Sequence, residues 1–489
     1  MSILWLHQPV GIDCLRDHPY WMLAWEMGSG KTRVVVEHIA DTLPNTTLIL
    51  CPKAVVAVWP SEFQKHRPDL IVQIVAPTVG TVAKRMKDAL LYAKIARKNR
   101  VPFVLSLNYD VLPSLTDRYR ELVQFGMHDD RGGDLRELVQ FGMHDDRGWD
   151  LLVCDESHRL KLASGVQSRF VSRIKARRKI ALTGTPMPHS PLDIYGQFRF
   201  LDPDVFGWSW TAFRARYAIM GGYRVNGKPV QIKGYRNLEE LQRKMQSRAH
   251  FVRLDDVLDV PIATHQSRLI EPTEMGDGLE AYTRLEDSLV ADVRGGTVTP
   301  ANALVRFLRL QQITSGDVTD DAGVVRNVHA AKSAALADVL KDVDEHQAIV
   351  VFCRFRSELA EVKAVALHND MPSFELSGND HAGLAPWQAL ARQGKGPILA
   401  CQIQSGGVGV DMSMASTCVF WTQPLSLGVH DQAVSRLRRP GQTRPVTCVH
   451  LLVRDTIDER IRAALDGRRD VIESMIAEMR KAQKGADQW

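Results

Sequence analysis

Short apolar runs recur along this chain at residues 47–51, 103–107, 151–154, 180–182, 348–353, 398–401 and 418–421, and each ends in a polar or glycine-bearing cluster. Runs that are apolar throughout, rather than alternating, describe strands buried on both faces. That is the condition of a parallel sheet covered by helices, and amphipathic helical patterns do separate the runs. They fall into two blocks, about 1–200 and 330–465, so the expected fold is α/β with two parallel-sheet lobes. Ligands of such sheets bind at the carboxyl ends of the strands. The residues just after the runs are therefore the first candidates for function.

The intervening residues 201–330 read differently: an aromatic stretch at 206–213 and glycines 221, 222 and 227 precede helical patterns at 238–248 and 279–293. The expected division is a first lobe at 1–200, a mostly helical insertion and connector at 201–330, a second lobe at 331–465 and a brace helix at 466–489. A sixteen-residue unit occurs twice, at 120–135 and 136–151, differing only where Gly133 is replaced by Trp149. Two copies are too few for a solenoid. The second copy runs into the strand pattern at 151–154, so the first reads as a duplication in a surface loop; a DNA- or partner-contacting protrusion is the alternative.

Composition excludes little. At 489 residues with 45% hydrophobic and 24% charged residues the chain is an ordinary globular one, and a formal charge of +5 permits an acidic polymer as partner without requiring it. The seven cysteines form no CxxC pair, which points to reduced core thiols and gives no reason to expect zinc. No membrane span and no leader are expected, which implies a cytoplasmic protein.

The chemistry begins at Glu26-Met-Gly-Ser-Gly-Lys-Thr32. Gly28, Ser29 and Gly30 let backbone amides converge on phosphate oxygens, Lys31 reaches the β- and γ-phosphates, and the Thr32 hydroxyl suits Mg²⁺. The strict pattern has glycine where Trp25 stands. Asp155-Glu-Ser-His158 follows an apolar run, so Asp155 is the candidate metal ligand and Glu156 the base that polarises water. Thr183-Gly-Thr-Pro186 follows the next run, a hydroxyl-bearing turn able to couple phosphate state to nucleic-acid grip. Far downstream, Arg436 and Arg439 are spaced one helical turn apart and could face one phosphate site, stabilising transition-state charge. The cofactors expected are ATP and Mg²⁺.

In this order the motifs resemble superfamily-two helicases, most closely the Swi/Snf-type DNA translocases, over most of the chain. Residues 26–32 resemble the family's DEMGLGKT loop, and Leu50-Cys-Pro-Lys53 with Trp59 and Phe63 its next motif. Ser106-Leu-Asn-Tyr-Asp110 resembles its T-S-Y-D segment, and Leu182-Thr-Gly-Thr-Pro-Met-Pro-His189 with Phe200-Leu201 its LTGTPxxN…FL. The stretch 405–411 resembles its GGxGxN turn, 432–442 its QAxxRxxRxGQ, and Thr456-Ile-Asp-Glu-Arg460 its TxEER. The resemblance implies two RecA-like lobes and an adenine contact at Gln8. It places Met27 and Asp411 at the nucleotide, Gly407 at the nucleotide and the DNA backbone, and Lys53, Ser106, Asn108, Thr183, Arg354 and Gly406 on the DNA. Such contacts grip phosphates without reading sequence. The chain departs from the pattern at His189, where asparagine is expected, and at 422–427, which replaces DPxWNP. The family's long insertions are short or missing, as in a compact bacterial or phage motor.

The resemblance thus implies an ATPase that translocates on double-stranded DNA, with replication, recombination or nuclease proteins as expected partners. A strand-separating helicase and a motor-dead DNA-binding assembly subunit are the alternatives. Basic clusters at 84–100 and 175–179 read as solvated helix faces or as DNA contacts.

Overall fold

The computed structural model describes residues 3–112, 149–225, 228–295, 300–319, 324–378, 382–404 and 410–470. The first copy of the repeat, most of the second, Gly406, Gly407 and the brace helix beyond residue 470 lie outside them. The chain divides into two compact units between Asp259 and Val260, each built on its own parallel sheet.

The first unit's sheet holds β1 (Tyr20–Trp25), β2 (Thr46–Cys51), β3 (Gln73–Val75), β4 (Phe103–Asn108), β5 (Trp149–Asp155), β6 (Ala176–Thr183) and β9 (Ala249–Val252). Their order is β3-β4-β2-β5-β6-β1-β9, parallel at each pairing. Strands β7 (Ala218–Val225) and β8 (Lys228–Tyr235) form a separate antiparallel hairpin. The interior strands are closed to water on both faces: Met22, Leu23, Ile49, Leu50, Leu152 and Val153 are completely buried. That explains why the sequence shows them as unbroken apolar runs.

The second unit's sheet holds β10 (Ala263–Ile270), β13 (Ala348–Cys353), β14 (Ser373–Leu376), β15 (Ile398–Gln402), β16 (Ala415–Phe420) and β17 (Val446–Val453). The order is β10-β17-β16-β13-β15-β14, again parallel throughout. Short strands β11 (Asp317–Thr319) and β12 (Val325–Asn327) pair with each other. Six of the seven cysteines are buried, and Cys418 and Cys448 meet across β16 and β17 at 3.4 Å between sulfurs. No helix among the described residues is long and apolar enough to cross a membrane.

Two expectations about 201–330 need correcting. The segment is not mostly helical, because it contains the β7–β8 hairpin and also supplies β9 and β10. Nor does the first unit end near 200: β9 pairs in parallel with β1, from Met22 with Ala249 to Trp25 with Val252. Residues 201–259 are therefore tied to the first sheet, whereas β10 pairs along its whole length with β17. The cluster at 175–179 is not a helix face either, since Ala176–Thr183 is strand β6. Arg178 donates to the carbonyls of Arg16 and His18, and Lys179 to that of Phe200. These cations close backbone carbonyls rather than project outward.

Candidate active site

In the first unit Ala24 pairs with Thr183, and Leu182 with Asp155. The segments leaving β1, β6 and β5 therefore emerge side by side from one edge of the sheet. The loop after β1 comes first. Gly28 and Gly30 have φ of 85° and 80°, a left-handed backbone that glycine adopts without steric penalty. Gly30 is also the residue before the helix Lys31–Thr42, whose free amides and positive dipole end favour an anion there. Ser29 Oγ donates to Glu26 O at 2.7 Å, and His7 Nε2 lies 2.8 Å from Ser29 O. Trp25, standing where glycine was expected, fits because Gly11 leaves room: a Cβ there would come within 3 Å of the indole. Its Nε1 donates to His250 Nδ1 at 3.0 Å.

Lys31 is folded over this loop, Nζ donating to Trp25 O at 2.8 Å and Glu26 O at 3.1 Å. Burial lowers its pKa, opposed by Glu156, Asp155 and Glu26. Thr32 lies in the first helical turn, and Met27 packs beneath Gly184, where a Cβ would meet Met27 Cγ at 2.9 Å. Gln8 is buried. Its Oε1 accepts from Trp5 N at 2.9 Å and its amide nitrogen lies 3.5 Å from Gly30 O.

Asp155 and Glu156 are both buried at the end of β5. Burial first, then Glu156, raises the Asp155 carboxyl to about 7, with Lys31 pulling the other way. A carboxylate so disfavoured in its charged form is an oxygen donor of the kind Mg²⁺ takes, as is the Thr32 hydroxyl. Glu156 sits in the left-handed region at φ 50°, turning the chain so that its carboxylate faces His158, Oε2 to Nδ1 3.3 Å. Burial would raise its pKa, but His158, Lys31 and Arg159 together hold it below the usual glutamate value. The acidic pair is thus split: burial disfavours the charged form of Asp155, whereas the neighbours of Glu156 hold it ionised.

The turn after β6 is wired to this pair. His158 Nδ1 also lies 3.3 Å from Thr183 Oγ1, which accepts from Thr185 N at 3.1 Å. Gln197, completely buried in the helix Ile194–Leu201, accepts from Ser157 Oγ at 2.8 Å and donates to Pro186 O at 2.6 Å. Sequence reasoning missed it. A glutamine on the apolar face of this helix was the available signal, because a buried amide must find partners.

The residues expected on DNA are placed unevenly. Lys53 is exposed on a short 3-10 turn. Ser106 is completely buried and donates to Val56 O at 3.0 Å, so its hydroxyl faces the protein instead of an outside phosphate. Asn108 is buried and accepts from Arg85 at 3.4 Å. Thr183 is buried too.

In the second unit Arg436 and Arg439 do not share a helix. The helix Leu427–Val434 ends before them, and Pro440 with Gly441 at φ 97° follows. A proline cannot continue a helix and the residue before it avoids the helical region. The turn is instead pinned from three sides. Leu437 is in the core, Met412 N donates to Arg436 O at 3.0 Å, and Gln442 Nε2 donates to Ser413 O and Ala415 O, both at 2.9 Å. Burial lowers the pKa of both arginines, opposed by Cys401 for Arg436 and by Asp411 for Arg439. One terminal nitrogen of Arg436 is buried without a hydrogen-bond partner, while Arg439 Nε donates to Ser435 O at 3.2 Å. Asp411 is exposed, its Oδ1 accepting from Ser413 N at 3.0 Å. Arg354 follows β13, its guanidinium 5.7 Å from the Phe355 ring. The departure at 422–427 is structural: Thr422 Oγ1 donates to the buried Glu358 at 2.5 Å, and Gln423 Oε1 accepts from His450 at 2.8 Å.

The sequence matches the family described as SNF2-related domain over residues 13–314. It is 23% identical to putative protein p41 of Acyrthosiphon pisum secondary endosymbiont phage 1, covering 93% of this chain and 94% of that one. It is 22% identical to an uncharacterized ATP-dependent helicase of Mycoplasma pneumoniae, over 90% of this chain but 38% of the relative. It is 20% identical to the DNA repair and recombination protein RDH54 of Saccharomyces cerevisiae, over 90% of this chain and 49% of the relative. The chain thus spans less than half the length of these last two. Among solved structures, the Sulfolobus solfataricus SWI2/SNF2 ATPase core in complex with dsDNA aligns over 98% of this chain and 93% of its own. Its TM-score is 0.41, at 20% identity.

Proposed function

The chain belongs to the family of SNF2-related domains, ATP-dependent enzymes of superfamily two, and from that premise we propose that it is a DNA-stimulated ATPase that translocates along duplex DNA. One observation carries the reading. The ends of β1, β5 and β6 bring the phosphate loop, the acidic pair and the Thr183 turn to one edge of one sheet. In this reading the loop amides and Lys31 hold the triphosphate, and Glu156, kept ionised by His158, orients and deprotonates the attacking water. Bound Mg²⁺ would be held by Thr32 and Asp155 and would neutralise phosphate charge. The contact from Glu156 through His158 to Thr183 offers a route by which the state of the phosphates alters the Thr183 turn. Lys53 remains the best-exposed candidate for a DNA phosphate. Arg439, with Arg436 three residues before it, would supply transition-state charge during turnover, and cycles of hydrolysis would ratchet the DNA.

The test is steady-state ATPase measured without nucleic acid and with single-stranded DNA, duplex, fork or RNA. Stimulation by duplex, and loss of turnover in Lys31→Ala, are expected. RNA stimulating as well as duplex would overturn the substrate, and an active Lys31→Ala would overturn the site. One observation supports the strand-separating reading: β7 and β8 form a hairpin outside the main sheet, a shape suited to a wedge. Triplex displacement without fork unwinding favours translocation. Fork unwinding that disappears when residues 219–234 are replaced by a short turn favours the helicase.

A further inference from the structure

Apart from the nucleotide-site candidates, three imidazoles from three elements of the second unit converge. His265 lies on β10, His430 on the helix Leu427–Val434 and His450 on β17, and one ring nitrogen of each falls within 4.8 Å of the others. They are 165 and 20 residues apart in sequence, so no spacing motif announces them. His450 Nδ1 lies 2.8 Å from Gln423 Oε1, an acceptor, so its proton belongs on Nδ1 and Nε2 keeps a lone pair. His430 Nδ1 lies 3.1 Å from Asp431 Oδ1, an acceptor, and 3.1 Å from Arg469 NH2, a donor that Asp431 Oδ1 also takes at 2.9 Å; with the Nδ1 proton given to Asp431, Nε2 carries the lone pair. That leaves His430 Nε2 buried without a hydrogen-bond partner. His265 Nδ1 is 3.1 Å from His450 Nε2.

A carboxylate or amide oxygen behind the distal nitrogen is how metal-binding histidines are oriented. An orphaned buried lone pair aimed into such a cluster needs a partner. Phe420 stacks on His430 and His450 at 4.7 and 4.9 Å between centroids, walling one side from water. Desolvation, with the nearby arginines contributing, lowers the pKa of all three rings, that of His265 to about 3. Neutral imidazole is the ligating form.

The charged neighbours balance. Arg462 NH1 lies 3.1 Å from His450 Nε2 but is also held by Asp466 at 2.7 and 3.0 Å, and Arg469 is paired with Asp431 at 2.9 Å. Two guanidiniums thus face two carboxylates, and a cation replacing Arg462 at His450 leaves the Arg462–Asp466 pair in place. With metal–nitrogen bonds of about 2.0–2.1 Å a tetrahedral site needs nitrogens about 3.3 Å apart, so modest ring rotation closes the cluster.

We propose that His265, His430 and His450 form a three-imidazole site for a borderline transition-metal cation of the Zn²⁺ class, with its remaining position open to water. Residues 264–269 of β10 are exposed and that strand is an edge of its sheet. A bound ion would staple it to β17 and to the helix preceding the arginine turn.

The experiment uses the untagged full chain, stripped with chelator and titrated with Co²⁺ in excess Mg²⁺, following ligand-field absorption and thermal unfolding. One Co²⁺ per chain, displaced by Zn²⁺ and accompanied by a higher Tm, is expected. His265→Ala alters an exposed position, so it should fold with the metal-free Tm of the parent yet bind about tenfold or more weakly. Asp431→Asn should weaken binding about 10–100-fold. Absence of Co²⁺ uptake by the parent chain, or equal uptake by His265→Ala, would overturn the site and leave the cluster as ring packing.

Discussion

Asp155 is a carboxylate kept from water beside a second carboxylate, and its raised pKa has a thermodynamic consequence. In the unfolded chain it ionises near 3.8; in the folded chain, near 7. Folding therefore binds a proton between these values, and the penalty of the buried charge is absent below about 3.8, grows with pH and is complete above about 7. Asp155→Asn removes that penalty along with the carboxylate proposed to hold Mg²⁺. At pH 8 without nucleotide or Mg²⁺ the variant should unfold about 5 °C or more above the parent, with the gap narrowing toward pH 5, while hydrolysis is lost. A Tm gap of the same size at pH 5 and pH 8 would show that the charge is not its source. Under the proposed Mg²⁺ assignment, the cation would compete with a proton for this carboxylate in the parent. The Mg²⁺ concentration for half-maximal ATPase should therefore rise as pH falls below about 7, approaching tenfold per pH unit.

At the scale of elements, close approach decides what can change. Gly196 lies in the helix Ile194–Leu201, where an added Cβ would fall within 3 Å of the carbonyl oxygens of Leu160 and Lys161. Those are backbone atoms and cannot rotate aside. Gly196→Ala should therefore push this helix from the segment after Glu156, lowering stability by about 2–3 kcal/mol and disturbing the Gln197 bonds with it. Gly467, on a helical stretch with nothing within 4 Å of its Cβ position, is the control. Its replacement by Ala should stabilise by about 0.5–1 kcal/mol, and equal effects from the two in denaturant unfolding would refute the steric account. The same physics explains what the sequence made legible. All seven apolar runs lie on strands flanked on both sides, namely β2, β4, β5, β6, β13, β15 and β16. The edge strands β3, β9, β10 and β14 are absent from those runs, and so are the interior strands β1 and β17, which edge position does not explain. An edge faces water, so β10 can read Ala-Thr-His-Gln-Ser-Arg and remain a strand. The phosphate loop and acidic pair were legible because their chemistry is local. Gln197 and the three histidines were not, since only the tertiary fold assembles their partners. For the arginines, periodicity misled where Pro440-Gly441 already signalled that the helix had ended.

At the scale of the whole molecule, Lys31 and Arg439 belong to different units, 408 positions apart in a chain divided at residues 259 and 260. In the proposed mechanism the two act on one transition state, yet they should fail differently when removed singly. Lys31→Ala removes a group that meets ATP in the ground state, so both nucleotide affinity and turnover should fall. Arg439→Ala should keep nucleotide affinity within a few fold and lower kcat by about 10³–10⁵, because its charge matters only as the phosphoryl group departs. It is a cleaner probe than Arg436, which is deeply buried and packed by Cys401, so that truncation there would also damage the fold. Groups acting as one unit are non-additive, and the double variant should be no slower than Lys31→Ala alone. The measurements are equilibrium binding of a fluorescent ATP analogue and single-turnover hydrolysis with duplex DNA, on variants whose Tm matches the parent. Losses that multiply in the double variant would mean that the two groups act independently, whereas near-normal turnover in Arg439→Ala would mean that hydrolysis is completed within the first unit. The second unit would then serve the DNA rather than the phosphate.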